Sequence, residues 1–266
     1  MARRVVGIWD VHGHLSGVSG RTPHERMAQL IAVADRMDVE RLCVFMGMQF
    51  DYDPPPAKFR SDNDEVIEAL SHWHHRAFGF VYLNPKYLDE SLAELDRCVR
   101  NGPMVGVKLW VAQRCDSPEV DAIVRRAAEL QAPVLQHTWL KITGNLPGES
   151  TPQDLAALAA RHPDAPIICG HTGGDWEHGI RTVRPYPNVY VDLGGGDPVS
   201  GITEMAVREL GAERVIFGSD VGGRSYGSQL AKVYSARITD REKHLILRDN
   251  LQRLLTPILE SKGVPL

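Results

Sequence analysis

The 266-residue sequence has no excess of positive charge. Its 30 Lys and Arg stand against 34 Asp and Glu, for a net charge of -4, so it carries no electrostatic footprint for nucleic acid. It has no uninterrupted apolar run of transmembrane length. Its four cysteines, Cys43, Cys98, Cys115 and Cys169, are far apart, with no Cys-x-x-Cys pair. They read as small buried hydrophobes in a reducing compartment. The basic start is followed by an apolar stretch that Asp10 and His12 soon interrupt, which makes a poor signal peptide. A cytoplasmic protein is expected, with a small molecule rather than a membrane or a nucleic acid as its partner. No low-complexity segment, linker or shift in composition divides the chain, so residues 1–266 read as a single domain.

What is present is a regular alternation. Eight short β-rich runs recur: Val5–Val11, Arg41–Met46, Ala77–Leu83, Val105–Trp110, Pro133–His137, Pro166–His171, Asn188–Leu193 and Arg214–Ser219. Several are nearly all apolar, as parallel strands buried on both faces require. Helix starts are marked between them. Thr22-Pro-His-Glu25, Ser117-Pro-Glu119 and Thr151-Pro-Gln-Asp154 place proline after a capping residue, and Thr239-Asp-Arg-Glu242 reads as a capping box. Helical apolar spacing follows over Met27–Met37, Val66–His72, Leu92–Val99, Val120–Leu130, Leu155–Ala160, Met205–Leu210 and Leu245–Leu255. Eight strand runs, each but the sixth followed by helical spacing, predict an α/β fold and favour a (β/α)8 barrel. An open parallel sheet is the competitor, because counting strands does not prove closure. Pro54–Pro56 and Gly144–Pro152 read as long βα loops of the kind that cover barrel sites.

Asp10-Val-His12-Gly-His14 closes the first run. Two imidazoles two residues apart on an extended backbone share a face and can present two nitrogens to one divalent ion. Asp10 shares that face and can support them from behind. Barrel chemistry sits at the C-terminal strand ends, where Lys108, His137, His171 and Asp220 also fall, on strands 4, 5, 6 and 8. His72, His74 and His75 cluster at a helix end on the opposite side, where histidines complement the helix dipole. Gly194–Gly196 lacks the Lys-Ser/Thr of a phosphate loop and reads as a close backbone approach under the site. Asp175 reads as a helix cap.

This set of Asp-x-His-x-His, a strand-5 His, a strand-6 His and a strand-8 Asp resembles the amidohydrolase superfamily. His171-Thr-Gly-Gly-Asp175, Asn188-Val-Tyr-Val-Asp192, Arg214–Asp220 and the ending Asn250–Leu255 resemble its family 2, which includes hydrolases and relatives of aminocarboxymuconate-semialdehyde decarboxylase. The resemblance covers nearly the whole chain. It implies a (β/α)8 barrel with a divalent ion, zinc first and manganese second, and a homodimer as the plausible assembly. In the favoured reading His12, His14, His137 and Asp220 hold one ion, Asp220 accepts a proton from activated water and His171 serves as general acid/base. In the alternative, a carboxylated Lys108 bridges two ions and His171 becomes a ligand.

Trp110 and Trp139, each two residues beyond a site residue, are placed to line the mouth, and Arg224 to hold a carboxylate. The expected reaction is hydrolysis of a small amide, lactone or ester. The alternatives are non-oxidative decarboxylation of a small unsaturated acid, and an inactive barrel kept as a binding protein.

Overall fold

Runs of Val, Ile, Leu and Phe with no polar alternation can be satisfied only where both faces are covered. In the computed structural model, which describes residues 7–265, these runs become eight parallel strands. They are β1 (Ile8–His14), β2 (Val39–Phe45), β3 (Ala77–Tyr82), β4 (Gly106–Leu109), β5 (Val134–Gln136), β6 (Ile167–Cys169), β7 (Val189–Asp192) and β8 (Val215–Ile216). Each pairs with the next in sequence. The ring closes beyond the end of β8: Val11 N–H donates to Phe217 O (3.1 Å), Asp220 N–H to His12 O (2.7 Å) and His14 N–H to Val221 O (2.9 Å). The fold is a single-domain (β/α)8 barrel.

The outer layer is α1 (Pro23–Arg36), α2 (Pro56–Leu70), α3 (Leu88–Leu95), α4 (Pro118–Glu129), α5 (Pro152–Arg161), α6 (Trp176–Val183), α7 (Ile202–Leu210) and α8 (Tyr226–Tyr234), followed by α9 (Asp240–His244) and α10 (Asn250–Ser261). Proline at N1 opens α1, α2, α4 and α5, where its missing N–H costs nothing. Thr151 and Thr239 form reciprocal capping boxes with Asp154 and Glu242. Ser117 precedes α4 without a side-chain cap bond.

Three details differ from the sequence reading. Val5 and Val6 lie outside the described residues, and β1 runs on to His14, so both histidines belong to the strand itself. Pro56 opens α2 rather than lying in a loop. Its pattern was obscured because Asp62 and Asn63 are buried polar residues on the inner face. Asn63 is satisfied there by Tyr82 N–H (2.8 Å) and Tyr82 O (3.0 Å) of β3. α6 and α8 were not marked by apolar spacing, because each is short and carries a glycine. His72, His74 and His75 lie exposed in the turn after α2, away from the strand ends that carry the site. All four cysteines are free and buried.

Candidate metal centre

The C-terminal strand ends enclose a cavity of about 170 Å³. His12 and His14 of β1, Lys108 of β4, and His137, His171 and Asp220 from the segments after β5, β6 and β8 all line it, with Phe50, Trp110 and Trp139 as aromatic walls. Aiming these groups inward strains the backbone. Met46, His171 and Asp220, all at the cavity, have left-handed φ of 69°, 56° and 56°, and such strain concentrates at functional sites.

His12, His14 and Asp220 each offer an atom within 4.8 Å of the others. His14 Nε2 lies 3.2 Å and His12 Nε2 3.7 Å from Asp220 Oδ1. Burial resists ionisation of Asp220, but the hydrogen bond to His14 and the neighbouring His12 and His171 outweigh it and hold its carboxyl below the usual range. His12 Nδ1 meets Asp192 Oδ2 at 2.5 Å. A carboxylate accepts there, so Nδ1 carries the proton and Nε2 is left with its lone pair facing Asp220. Asp192 belongs to a second such group with His12 and His171, but its direct bond to the His12 ring makes it the support of a ligand.

His137 and His171 reveal their tautomers in the same way. His137 Nε2 bonds Glu149 Oε1 at 3.0 Å. Although burial opposes it, Glu149 is held ionised with a pKa of about 2 by His137, Lys141 and the Leu146 N–H. His137 Nε2 therefore donates, and Nδ1 is bare. His171 Nδ1 lies 2.9 Å from Gly194 O, a group that can only accept, so Nε2 is bare. These two bare nitrogens face each other at 3.1 Å. Burial pushes both imidazoles below their ordinary pKa, His171 well below, so neither readily takes a proton to bridge them. Two converging lone pairs call for a cation, and the donor set of imidazole nitrogens and one carboxylate fits a divalent transition ion.

Lys108 is buried, and burial brings its ammonium down to about 7. The ammonium lies 4.5 Å above the Phe45 ring, and no carboxylate pairs with it among the described residues. Trp110 stacks on Tyr52 (4.8 Å) and Trp139 stacks on His137 (6.0 Å), so each is both rim packing and cavity wall. Arg224 is exposed and lines neighbouring cavities, not this one. Asp10 is wholly buried and ties β1 to the end of β8, accepting from His12 N–H (3.0 Å), Ser219 N–H (2.9 Å) and Ser219 Oγ (2.5 Å). Asp175 caps α6 by accepting from His178 N–H.

Sequence reasoning did not single out Asp192, Glu149 or Phe50 as site residues. Asp192 had the signal used for the others, an acid ending an apolar strand run. Glu149 and Phe50 sit in loops with no local cue.

No curated protein sequence matches the chain. Solved structures of like fold include 2,6-dihydroxybenzoate decarboxylase from Rhizobium, at 17% identity and TM-score 0.76 over 95% of this chain and 99% of that one. Another is a dihydroxybenzoic acid decarboxylase from Polaromonas sp. JS666 with bound manganese and 2-nitroresorcinol, at 16% identity and TM-score 0.73 over 96% and 98%. A third is 5-carboxyvanillate decarboxylase from Novosphingobium aromaticivorans complexed with manganese and 4-hydroxy-3-methoxy-5-nitrobenzoic acid, at 13% identity and TM-score 0.72 over 94% and 95%. At these identities the likeness concerns the fold. The sequence itself matches the amidohydrolase family over residues 9–256, nearly its whole length, and the chain belongs to that family.

Proposed function

We propose that this protein is a metal-dependent, non-oxidative decarboxylase of a small aromatic or unsaturated acid. The observation that carries the reading is the cavity itself. About 170 Å³ walled by Phe50, Trp110 and Trp139, with the donor set at its floor, suits a flat acid. The neighbours named as decarboxylases support the same reading. His12, His14, His137 and Asp220 would hold one divalent ion, with manganese the first to try because two neighbours contain it. When bound, the ion supplies a Lewis-acid centre that stabilises negative charge on a substrate oxygen.

The chain's own groups do the rest. Loss of carbon dioxide leaves the electron pair of the broken C–C bond on the substrate carbon, which must then gain a proton. Asp220 is ionised, so it first accepts that proton from solvent or from an acidic substrate group, then delivers it to the carbon. His171, its Nδ1–H fixed on Gly194 O, turns its Nε2 lone pair to the same point as His137 Nδ1 and would join the donors to that ion. The aromatic walls exclude water from the carbanion-like carbon. A second ion is disfavoured, because a carboxylated Lys108 would place an anion over the Phe45 ring face.

The test loads the protein with manganese and supplies carboxyl-labelled 2,6-dihydroxybenzoate and 5-carboxyvanillate in heavy water. Labelled carbon dioxide and one deuterium in the product are expected, with a metal-to-protein ratio near one. A ratio near two, with Lys108 heavier by one carbon dioxide, would overturn the one-ion reading. Hydrolysis is the second reading, favoured by the ionised Asp220, which is ready to take a proton from water. Oxygen-18 entering the product from water, with no carbon dioxide released, would replace the first reading by the second.

A further inference from the structure

A second cavity of about 300 Å³ lies against the first and shares His171 and Trp139 with it. Its chemistry is different. Lys232 of α8, only 5% exposed, lines it. Its ammonium donates to Leu193 O (2.8 Å) and Gly195 O (2.5 Å). An ammonium has three N–H donors, so two carbonyls leave one, and no carboxylate pairs with Lys232 among the described residues. A buried cation with an incomplete set of partners is costly unless something anionic completes it.

Two further positive features meet there. Arg224 lines the same lobe, with the planar fork that suits carboxylates. α7 begins beside it at Gly201 and Ile202 with no capping side chain, so its first-turn N–H groups form an uncapped positive end. Asp197, exposed, is the single carboxylate in the lining.

We propose that this lobe is an anion subsite and that the substrate is a dianion: a small planar acid whose reacting carboxylate enters the donor cavity while a second carboxylate is held by Lys232 and Arg224. The reacting end rests on the decarboxylase reading; the second end rests on the lobe alone. Gly195, at φ 73°, lines this lobe beside His171, which the two cavities share. A Cβ there would overlap His171 Nδ1 and lie 3.2 Å from Asp220 Oδ2, so only glycine leaves the junction undisturbed.

The experiment is calorimetric titration of the full chain with benzoate and with isophthalate (benzene-1,3-dicarboxylate), each with and without manganese. One charge-assisted contact predicts isophthalate binding roughly tenfold to a hundredfold tighter than benzoate. Lys232→Met and Arg224→Gln should each cut that preference to about threefold or less. Arg224 is exposed, so its variant keeps the test available if Lys232→Met does not fold. Equal affinities in the wild type, no binding of either acid, or a preference that survives both substitutions would overturn the proposal. Metal uptake is read in the same samples. Failure to bind manganese sinks the metal-dependent reading alone, while manganese binding without a preference for the diacid sinks the dianion alone.

Discussion

Gly218→Ala should weaken metal binding without replacing a single metal donor. Gly218 follows β8 and packs behind Asp192. A Cβ at this position would overlap Asp192 Oδ1 outright and lie 2.8 Å from its Cγ and 2.9 Å from His12 Cβ. Carbon atoms in ordinary contact are about 3.5 Å apart or more, so Cγ must retreat by about 0.7 Å and the overlapping Oδ1 by more, and the carboxylate swings away. The bond it would break is the 2.5 Å contact that fixes the proton of His12 on Nδ1. Without it the ring can turn or exchange tautomers, and Nε2 is no longer held as the donor. Loss of such a supporting partner typically weakens metal affinity about tenfold to a hundredfold, or about 1.4–2.7 kcal/mol at about 1.36 kcal/mol per decade. Overpacking should separately cost roughly 1–3 kcal/mol of stability.

Competition titration of manganese against a chelator measures the first quantity, and a thermal melt the second. Asp192→Asn, which keeps the shape and removes the charge, should move affinity in the same direction with a smaller loss of stability. A folded Gly218→Ala protein that binds manganese within about twofold of wild type would refute the claim that Asp192 sets the His12 donor atom.

His12→Ala should lose metal and activity together, by elemental analysis and turnover; normal activity in that variant would overturn the site assignment. Glu149→Ala removes the acceptor that keeps His137 Nδ1 bare, so manganese affinity should fall roughly tenfold to a hundredfold, and unchanged affinity would exclude His137 from the donor set. Burial raises Asp10 to about 7. Its folded pKa thus exceeds the unfolded one, and the stability it contributes is full below about pH 4 and is lost as pH rises through about 7. In Asp10→Asn the amide oxygen can accept from His12 and Ser219 N–H while its NH2 donates to Ser219 Oγ. The melting temperature of wild type relative to Asp10→Asn should therefore fall between about pH 4 and pH 7, and a difference independent of pH would count against the raised carboxyl.

The barrel was legible because its signals are local. An all-apolar strand run, a proline after a capping threonine and a polar residue where the run stops can each be read within a few residues, and so His12, His14, His137, His171 and Asp220 could be placed at one rim. Where a local rule is broken by a distant partner, the reading failed. Asp62 and Asn63 hid the start of α2 because Asn63 is satisfied by β3, across a loop. Glu149 gave no sign because its role depends on His137 lying beneath the same loop.

The same division runs through the site. A histidine in a motif names a residue, but a metal binds an atom, and each imidazole has two to offer. Here the choice is made by groups that no spacing rule links to the ring. Asp192 stands 180 positions from His12, Gly194 presents a main-chain carbonyl to His171, and Glu149 reaches His137 from the loop. Each takes one ring proton and so turns the other nitrogen inward. A chain that kept all four histidines and lost those three acceptors would look unchanged as a motif. Its imidazoles would no longer present a fixed set of lone pairs to a cation. The aim of the donors is thus a property of the β7 end and the β5 loop as much as of the histidines themselves.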